Sequence, residues 1–353
     1  MRSARSGLIG AINCGALSLA ALVAVLTMGA QGLAQTAPQR IAFQIATGST
    51  SGNYFPVGEM LAGLLSHPPG IGRCEAQDVC GPPGLIVSTR ASEGSIANVI
   101  AVEHGNVDSG LAQADVVALA VEGKGPFRKM GPAKKVRVIA NLYPEDVHLV
   151  ASTKAHISGV SDLRHKRVSI STQGSGTIST AQAILAAYGL SEKSIKPNYD
   201  SLDRAAELLQ AGKLDAVFFV GGAPVQLIDL LIRQRAAVLV PISGPGRKKL
   251  IAGNSVFAAD TIPRHTYSDT PAIDTVSVGA LWITNDSQSA GLIYAMTKAL
   301  YNPANRRALQ EANSDSRFID LDLAAKGTAA PLHAGALHFY REKDVLPSEP
   351  GKH

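Results

Sequence analysis

The sequence predicts an α/β protein made of two similar lobes with a ligand cleft between them. Residues 41–65 show a strand, a glycine-rich loop and an amphipathic helix in succession, and residues 167–188 repeat that order. Because ligands in open α/β sheets bind beyond the carboxyl ends of the strands, both loops are expected to face one cleft. The length of 353 residues suits two lobes, and a hydrophobic content of 46% is enough for two cores.

The N-terminal segment, residues 1–34, has the pattern of a secretory signal peptide. Arg2 and Arg5 form a positive region, the following run up to Gln31 carries no charge, and Gly32-Leu33-Ala34 places small residues at a cleavage site. The mature chain is therefore predicted to begin at Gln35 and to be periplasmic. An uncleaved membrane anchor is the alternative, because the apolar run approaches the length that spans a bilayer.

Charge and composition argue against a nucleic-acid partner. The full chain has a net charge of +5, and removal of the two signal-peptide arginines leaves 31 basic against 28 acidic residues. Basic runs are short, as at 164–167 and 247–249, and the aromatic content is 5%. Stacking surfaces for bases need more aromatic side chains than this, so we expect no nucleic acid to bind.

Two cysteines remain after the signal peptide, Cys74 and Cys80, and five residues separate them. An even pair in an exported protein predicts a disulfide, here closing a short loop within the Pro/Gly-rich excursion His67–Gly84. A zinc site would need more ligands than this stretch offers, so we expect no metal.

The first strand–loop–helix unit sets the pattern for the first lobe. Ile41, Phe43 and Ile45 alternate with other residues at the period of a strand, and Thr47–Tyr54 (TGSTSGNY) is rich in glycine and hydroxyl groups. Apolar residues then recur at helical spacing up to Leu65. Backbone amides at the start of such a helix favour a small anion, whereas the alternative is an ordinary turn between a strand and a helix.

The first lobe continues with a hydroxyl-rich turn, in which Ser92 is the predicted N-cap of a helix over Ala91–Ile100. A break is predicted at Asn141–Asp146, where the sequence reads NLYPED. The strands predicted in this part of the chain are Leu85–Thr89, Val136–Ala140 and Val147–Ser152.

The second strand–loop–helix unit consists of the strand Arg167–Ser171, the loop Thr172–Thr177 (TQGSGT) and a helix that Gly189 ends. The two loops share glycines and hydroxyls, and each stands between a strand and an amphipathic helix. The elements predicted after them are a helix over Leu202–Ala211, a strand over Ala216–Val220, a strand over Val276–Thr284 and a helix over Ser287–Tyr301.

The ordered set of segments resembles the TAXI solute-binding proteins, the extracytoplasmic receptors of one branch of TRAP transporters. The matching stretches include IATGSTSGNYFPVGEMLA, GNVDSGLAQADV, VIANLYPEDVHLVAS, VSDLRHKRVSISTQGSGT and AGKLDAVFFVGGAP. The chain departs from that family at His165-Lys166, where Gly-Lys is usual, and in the length of the excursion over residues 67–84. Neither departure lies in the predicted cleft.

The resemblance implies a type II periplasmic-binding-protein fold. Lobe one would comprise residues 38–146 and 274–346, lobe two residues 147–273, and strands near Val147 and Val276 would form the hinge. It also implies a monomeric, cofactor-free receptor that captures a small carboxylate such as glutamate or 2-oxoglutarate. A TRAP membrane permease driven by an ion gradient would be its partner.

Two alternatives stand beside this interpretation. One is the binding protein of an ABC importer for a sulfonate or a thiamine-like solute on the same fold. The other is a hydrolase with Thr50 or Ser175 as its nucleophile. The segment Gly48-Ser49-Thr50-Ser51-Gly52 approaches the nucleophile elbow G-x-S-x-G but has a threonine in the serine position, so we expect no enzyme.

The predicted ligand site combines hydroxyls, amides and one aromatic ring from the two lobes. The amides of Gly176 and Thr177 are expected to hold one carboxylate, and Tyr54 to cover the carbon chain of the ligand. The alternative is that the hydroxyls only cap helices, and Arg90 is left outside the main prediction. The predicted residues are Thr47, Ser49, Tyr54, Ser92, Ser95, Asn98 and Gln113 from lobe one, and Thr172, Ser175, Gly176, Thr177, Phe219 and Gly222 from lobe two.

Overall fold

The computed structural model describes residues 40–312 and 319–347. The predicted signal peptide and the cleavage before Gln35 lie outside these residues. Within the described ranges no helix has both the length and the apolarity to cross a bilayer. Nor does this part of the chain bring three or more His, Cys, Asp or Glu side chains together in a way that could hold a metal ion.

The described residues contain ten strands. In chain order the strands are β1 Ile41–Ala46, β2 Leu85–Arg90, β3 Ser109–Gln113, β4 Val136–Ser152, β5 Arg167–Ser169, β6 Lys196–Asn198, β7 Ala216–Gly221, β8 Ala237–Leu239, β9 Phe257–Ile262 and β10 Ile273–Asn285.

The helices alternate with the strands and cover the sheet. They are α1 Tyr54–Leu65, α2 Ser95–Glu103, α3 Ala114–Val121, α4 Gly176–Ala187, α5 Leu202–Gln210, α6 Gln226–Arg233, α7 Gly244–Gly253, α8 Ala290–Leu300, α9 Pro303–Ala312 and α10 Ala334–Glu342. Short 3-10 turns occupy Gly72–Glu75, Gly125–Phe127, Val160–Leu163 and Glu192–Ser194.

The described strands form one mixed sheet. Their order is β2-β1-β3-β10-β4-β7-β5-β6, with β8 beside β4 and β9 beside β10. β1 runs parallel to β2 and β3, and β5 runs parallel to β6 and β7. Each parallel group has its helices between consecutive strands, which is the arrangement that alternating strands and helices predict.

The long strands β4 and β10 pass through both halves of the sheet. β4 pairs with β10 over Val136–Asp146 and then with β7 as far as Ala151. β10 pairs with β9 over Ile273–Val278 before it reaches β3 and β4. The lobe boundary predicted at residue 146 lies where β4 exchanges β10 for β7, and the boundary predicted at residue 273 lies at the start of β10. The two lobes with those bounds stay a prediction.

The predicted break at Asn141–Asp146 is wrong, because these residues belong to the 17-residue strand β4. Pro144 lies opposite Gly279 of β10, and the pairing shifts by one residue between Ala280 and Leu281. Proline lacks the N–H that a regular ladder needs and is tolerated beside such an irregularity. Pairing with neighbouring strands thus keeps the segment extended.

The prediction that Ser92 is the N-cap of the helix is also wrong. Helix α2 begins three residues later at Ser95, and its N-cap is Gly94 at a φ of +117°. Ser92 Oγ accepts the N–H of Gly94 at 3.0 Å and lies 2.7 Å from Asn98 Oδ1. The serine therefore shapes the turn before the helix, and glycine provides the left-handed backbone that the turn requires.

Two large core side chains satisfy their polar atoms by hydrogen bonds. Trp282 is fully buried, and its indole N–H donates to Ser109 Oγ at 3.1 Å. The hydroxyl of buried Tyr340 donates to the carbonyl of Ile139 at 2.8 Å. Both bonds offset the cost of burying a polar group in the apolar sheet–helix interface. Trp282 is thus a packing residue.

The structure joins Cys74 and Cys80 by a disulfide, with their Cα atoms 5.3 Å apart. The loop that it closes is short, so cross-linking removes little entropy from the unfolded chain. We expect the double substitution of both cysteines by serine to lower the free energy of unfolding by about 2 kcal/mol or less. Urea unfolding of the two proteins under oxidising conditions measures this difference. A loss as large as that of a long-range bridge would contradict the expectation.

Candidate functional site

A cavity of about 200 Å³ lies at the carboxyl ends of the strands in the two parallel groups. The first wall consists of lining residues from the loops after β1 and β2, from the end of β3 and from β4. The second wall consists of lining residues from the loop after β5, the start of α5 and the end of β7. The first wall comprises Gly48, Ser49, Gly52, Asn53, Tyr54, Ser92, Glu93, Gly94, Ser95, Gln113 and Glu145; the second comprises Ser171, Thr172, Ser175, Gly176, Thr177, Ser201, Leu202, Phe219 and Val220.

Tyr54 and Glu145 form a buried polar pair in the first wall. Glu145 is 1% exposed, and the hydroxyl of Tyr54 donates to its Oε2 at 2.7 Å. Burial raises the pKa of Tyr54 well above its usual value, and the negative charge of Glu145 raises it further. Tyr54 therefore stays protonated and serves as a hydrogen-bond donor to the carboxylate.

Several cavity hydroxyls accept a hydrogen bond from a backbone N–H. Ser95 Oγ accepts from Gln113 at 3.1 Å, Ser175 Oγ from Thr177 at 3.2 Å, and Thr177 Oγ1 from Val220 at 3.3 Å. A hydroxyl has one proton and two lone pairs, so an accepted bond leaves its own proton available as a donor. The protons of Ser175 and Thr177 are thus available for donation into the cavity, whereas Ser95 Oγ also lies 3.5 Å from the hydroxyl of Tyr54.

The start of α4 lies in the second wall, as the sequence predicts, but its amides differ in their roles. The N–H of Thr177 donates to Ser175, the N-cap of this helix. Of the two amides predicted to hold a carboxylate, this one therefore already has a protein partner. At the matching place in the first wall, the N–H groups of Ile96 and Ala97 both donate to the carbonyl of Gly174.

Hydrogen bonds join the two walls around the cavity. Besides the bonds to the Gly174 carbonyl, the N–H of Gly174 donates to Glu93 Oε2 at 3.1 Å. The side-chain amide of Asn53 donates to the carbonyl of Gly222 at 3.2 Å. A Cβ added at Gly174 would collide with the Glu93 side chain. Close approach of the two walls thus depends on the absence of a side chain at this glycine.

A buried contact outside the cavity also links the two walls. Thr180 of α4 donates to Asp115 Oδ2 at 2.7 Å, and Asp115 in α3 is 3% exposed. Burial raises the pKa of Asp115 to about 6, although the hydrogen bond from Thr180 opposes the shift. A carboxylate that titrates near pH 6 inside the folded protein makes stability depend on pH.

The direction in which stability changes with pH depends on how the pKa differs between the folded and the unfolded chain. Asp115 binds a proton more tightly in the folded chain than in the unfolded chain, where its pKa is about 3.9. Its contribution to the free energy of unfolding therefore falls as the pH rises from about 4 to 6. Burial lowers the pKa of His148 to about 4, so its contribution rises with pH over much of the same window. The two effects oppose each other.

We therefore expect Asp115→Asn to make the free energy of unfolding rise more steeply between pH 4.5 and 6.5 than in the parent. The difference between the two proteins should change by about 2 kcal/mol over this window. Urea unfolding at several pH values measures it, and parallel curves would contradict the assignment to Asp115.

Most of the predicted ligand residues line the cavity. They are Ser49, Tyr54, Ser92, Ser95, Gln113, Thr172, Ser175, Gly176, Thr177 and Phe219. Their roles toward a ligand stay predictions, because the geometry gives their position only. The helix-capping alternative applies in part, since Ser175 caps α4 and also lines the cavity.

Thr47, Asn98 and Gly222 are not among the lining residues. Thr47 is buried, and its hydroxyl donates to the carbonyl of Arg90 at 3.0 Å. The amide of Asn98 lies within bonding distance of carbonyls of β1 and β3, including Leu111 at 2.8 Å. Thr47 thus connects the ends of β1 and β2, and Asn98 connects α2 to β1 and β3. The carbonyl of Gly222 accepts a hydrogen bond from the side chain of Asn53.

Three lining residues, Glu145, Glu93 and Asn53, are not among those that the sequence predicts. Glu145 lies in the segment interpreted as a break, so its carboxylate was not assigned to a strand that reaches the cavity. The available signal is the acidic pair Glu145-Asp146 between two apolar stretches of β4, since a carboxylate in a buried strand needs a polar environment. Arg90 is exposed and does not line the cavity.

Comparison with solved structures finds similarity to ligand-binding proteins. The alkanesulfonate-binding protein of Xanthomonas axonopodis pv. citri bound to MOPS is 16% identical, with 88% of this chain and 96% of that chain covered and a TM-score of 0.45. A binding protein of an ABC phosphonate transporter from Pseudomonas aeruginosa is 10% identical, with coverages of 80% and 81% and a TM-score of 0.45. An amino acid ABC transporter substrate-binding protein from Streptococcus pneumoniae bound to L-arginine is 14% identical, with coverages of 79% and 92% and a TM-score of 0.42.

The architecture is a mixed α/β fold whose strands, in two parallel groups, are linked through long antiparallel strands. It agrees with the predicted fold class of type II periplasmic-binding proteins. The assignment to the TAXI branch stays a prediction. The family comparison matches residues 45–343, nearly the whole described chain, and the protein therefore belongs to the NMT1-like family.

Proposed function

We propose that this protein is an exported solute-binding receptor that holds a small carboxylate in the cavity and delivers it to a membrane transporter. The observation that carries the proposal is the set of wall hydroxyls whose lone pairs are engaged by backbone N–H groups, namely Ser95, Ser175 and Thr177. Each presents a proton donor, and several converging donors suit the oxygens of an anion. The start of α4 adds a favourable helix dipole.

The size of the cavity limits the solute. A dry protein cavity of about 150 Å³ admits benzene, so about 200 Å³ suits a molecule of somewhat more than six non-hydrogen atoms. Small amino acids, keto acids and short dicarboxylates are of this size. The ring of Tyr54, which is 7% exposed, would cover the apolar part of such a molecule.

Binding would proceed by closure of the two walls. The bonds from Gly174 to Glu93 and from Asn53 to Gly222 cross from wall to wall, and they can exist only when the walls are together. A solute stabilises that arrangement by its greater affinity for it, and β4 and β10 are the connections about which a hinge motion would occur. The solute-loaded form would then present one defined surface to the transporter.

An enzymatic role is less well supported. Thr50, one predicted nucleophile, is not among the lining residues, and Ser175, the other, accepts the N–H of Thr177 as a helix cap. No histidine lines the cavity among the described residues, so a serine nucleophile there would have no imidazole base. Holding and releasing a solute requires neither group.

The ligand class is tested by thermal or urea unfolding of the mature protein after bound solute has been removed. A ligand at one hundred times its dissociation constant should add about 2.7 kcal/mol to the free energy of unfolding. We expect at least one small carboxylate, from a panel including glutamate, 2-oxoglutarate and succinate, to do so. Stabilisation by a neutral sugar or a simple cation, with none by any acid, would contradict the proposal.

Two classes of membrane transporter are candidates for the partner of this receptor. The sequence resemblance implies a TRAP permease, which an ion gradient drives, and the alternative is an ABC importer, which ATP hydrolysis drives. Solute uptake by spheroplasts supplied with the purified receptor distinguishes them. Loss of uptake when the sodium gradient is collapsed supports the TRAP permease, and loss with vanadate while the gradient is intact supports the ABC importer.

A further inference from the structure

The charge of the chain is distributed unevenly along its length. Residues 147–273 contain 14 lysines and arginines against 9 aspartates and glutamates. The other described residues, 40–146, 274–312 and 319–347, contain 15 basic against 17 acidic side chains. The excess of positive charge therefore belongs to the part of the chain that carries the second wall of the cavity.

Much of this excess lies at the amino ends of β5, β6 and β7. β5 begins beside β6, where Arg167 pairs with Lys196. The end of β4 reaches the same place, because the N–H of Ser152 donates to the carbonyl of Asp215 at 2.9 Å and Ser152 lies opposite Ala237 at the start of β8. Five segments of the chain thus bring six exposed cations to this end, which we call the basic face: Lys154, Arg164, Lys193, Lys196, Lys213 and Arg235.

The carboxylates at this end do not compensate the basic face. Asp215 pairs with Arg167 at 2.7 Å, Asp162 accepts backbone N–H groups of its own turn, and Glu192 accepts the hydroxyl of Tyr199 at 2.7 Å. Within the described part of the chain, none of the six cations takes part in an ion pair. Their charges therefore add to one positive field in front of this surface.

We propose that the basic face adsorbs the protein to the anionic lipid head groups of a membrane, with the cavity turned away from the bilayer. The cavity lies at the carboxyl ends of β5 and β7, whereas the basic face lies at their amino ends, so adsorption leaves the cavity open to solute. The inference goes beyond the capture of a solute and does not depend on which solute is bound.

The composition of the basic face favours a lipid surface over a specific protein partner. Four of its six cations are lysines, and no aromatic side chain is among them. Specific protein interfaces are enriched in aromatic residues and arginine and depleted in lysine. An anionic bilayer needs only positive charge spread over a surface, because lysine and arginine near it are attracted by its surface potential.

Sedimentation with lipid vesicles tests the proposal. The mature protein is mixed with vesicles of phosphatidylcholine alone, or of phosphatidylcholine and phosphatidylglycerol in equal parts. At about 0.01 M salt we expect the parent to bind the anionic vesicles at least about 100-fold more tightly than the neutral ones. At about 0.15 M salt this preference should fall at least about tenfold, because salt screens exposed charges.

A triple variant assigns the adsorption to the basic face. It combines Lys193→Gln, Lys196→Gln and Lys213→Gln, three exposed side chains without an ion pair, so the fold should persist, which circular dichroism checks. Each cation near an anionic bilayer strengthens binding by a factor of about five. Affinity for the anionic vesicles should therefore fall at least about 30-fold.

The matched control removes the same charge at the other end of β4. It combines Lys129→Gln, Lys134→Gln and Lys135→Gln, exposed lysines of the segment that leads into this 17-residue strand. Roughly 50 Å of strand separates that end from the basic face. The control should bind the anionic vesicles within about threefold of the parent, although its net charge equals that of the first variant.

The outcomes decide for or against the membrane. Equal binding of the parent to both kinds of vesicle overturns the inference, and so does a folded variant of the basic face that binds as the parent does. Retention of the parent on immobilised poly-L-glutamate without adsorption to vesicles assigns the basic face to an acidic protein and overturns it as well. The proposed solute is tested separately by the unfolding screen, so either proposal can fail alone.

Discussion

Substitution of Gly176 by valine is expected to abolish ligand binding while the protein remains folded. A Cβ at this position would overlap Gln113 Oε1 and lie 2.6 Å from Ser95 Oγ, both in the opposite wall. Valine would therefore hold the two walls apart and fill space that a solute needs. The wall contacts can separate without disrupting β4 or the helical core, so folding should survive.

Calorimetry with the ligand identified by the unfolding screen measures the effect, and circular dichroism checks the fold. Gly63→Val is the matched control, since a Cβ at Gly63 meets nothing within 4 Å. It introduces the same side chain in α1 and should bind as the parent does. Parent-like affinity in folded Gly176→Val would show that the solute binds elsewhere.

The second large effect is expected at Tyr54. Removal of its ring by Tyr54→Ala should weaken binding at least tenfold, equivalent to about 1.4 kcal/mol. The substitution removes both the aromatic ring that would pack against the solute and the hydrogen bond to Glu145. Tyr54→Phe separates the two contributions, because it keeps the ring and removes the hydroxyl. We expect it to lower the free energy of unfolding by about 1–3 kcal/mol, since a buried carboxylate loses a donor.

Tyr294 provides a control with the same chemistry at another place. Its hydroxyl donates to Glu342 Oε2 at 2.5 Å between α8 and α10, and Tyr294 does not line the cavity. Tyr294→Phe should leave ligand affinity unchanged within about twofold. Equal affinities in the parent, Tyr54→Ala and Tyr294→Phe would contradict the assignment of the ring to the site.

The repeated strand–loop–helix units were predictable because their signals are local. Alternation over Ile41–Ile45, glycine and hydroxyl residues in the loops, and helical periodicity up to Leu65 all agree with one another. The same agreement placed Ser175, Gly176 and Thr177 at the start of a helix. Loops that follow parallel strands meet at one edge of the sheet, so their residues lie together at the cavity.

The missed elements depend on contacts that a local pattern does not contain. Residues 141–146 combine polar side chains with Pro144 and resemble a break, but pairing with β10 keeps them in β4 and brings Glu145 to the cavity. Helix α3, residues 114–121, is apolar on most sides and buried, so its sequence ADVVALAV shows no polar face to mark a helical period.

The direction of individual side chains was also beyond the sequence. Asn98 and Ser95 are both buried polar residues on α2, yet Ser95 lines the cavity and Asn98 bonds to strand carbonyls. Helical spacing places residues three apart near each other on a helix surface, and only the packing of α2 against β3 decides which of them reaches the cavity. Residue type therefore predicts most members of the polar site, but it does not separate Ser95, which lines the cavity, from Asn98, which does not.

A crystal structure of the mature protein with the ligand found in the unfolding screen tests the central claim most directly. The account predicts one solute molecule inside the cavity, with its carboxylate within hydrogen-bond distance of Ser175 or Thr177 and its remainder against Tyr54 and Glu145. Electron density for the solute at another surface, with the cavity occupied by water at saturating ligand, would contradict it.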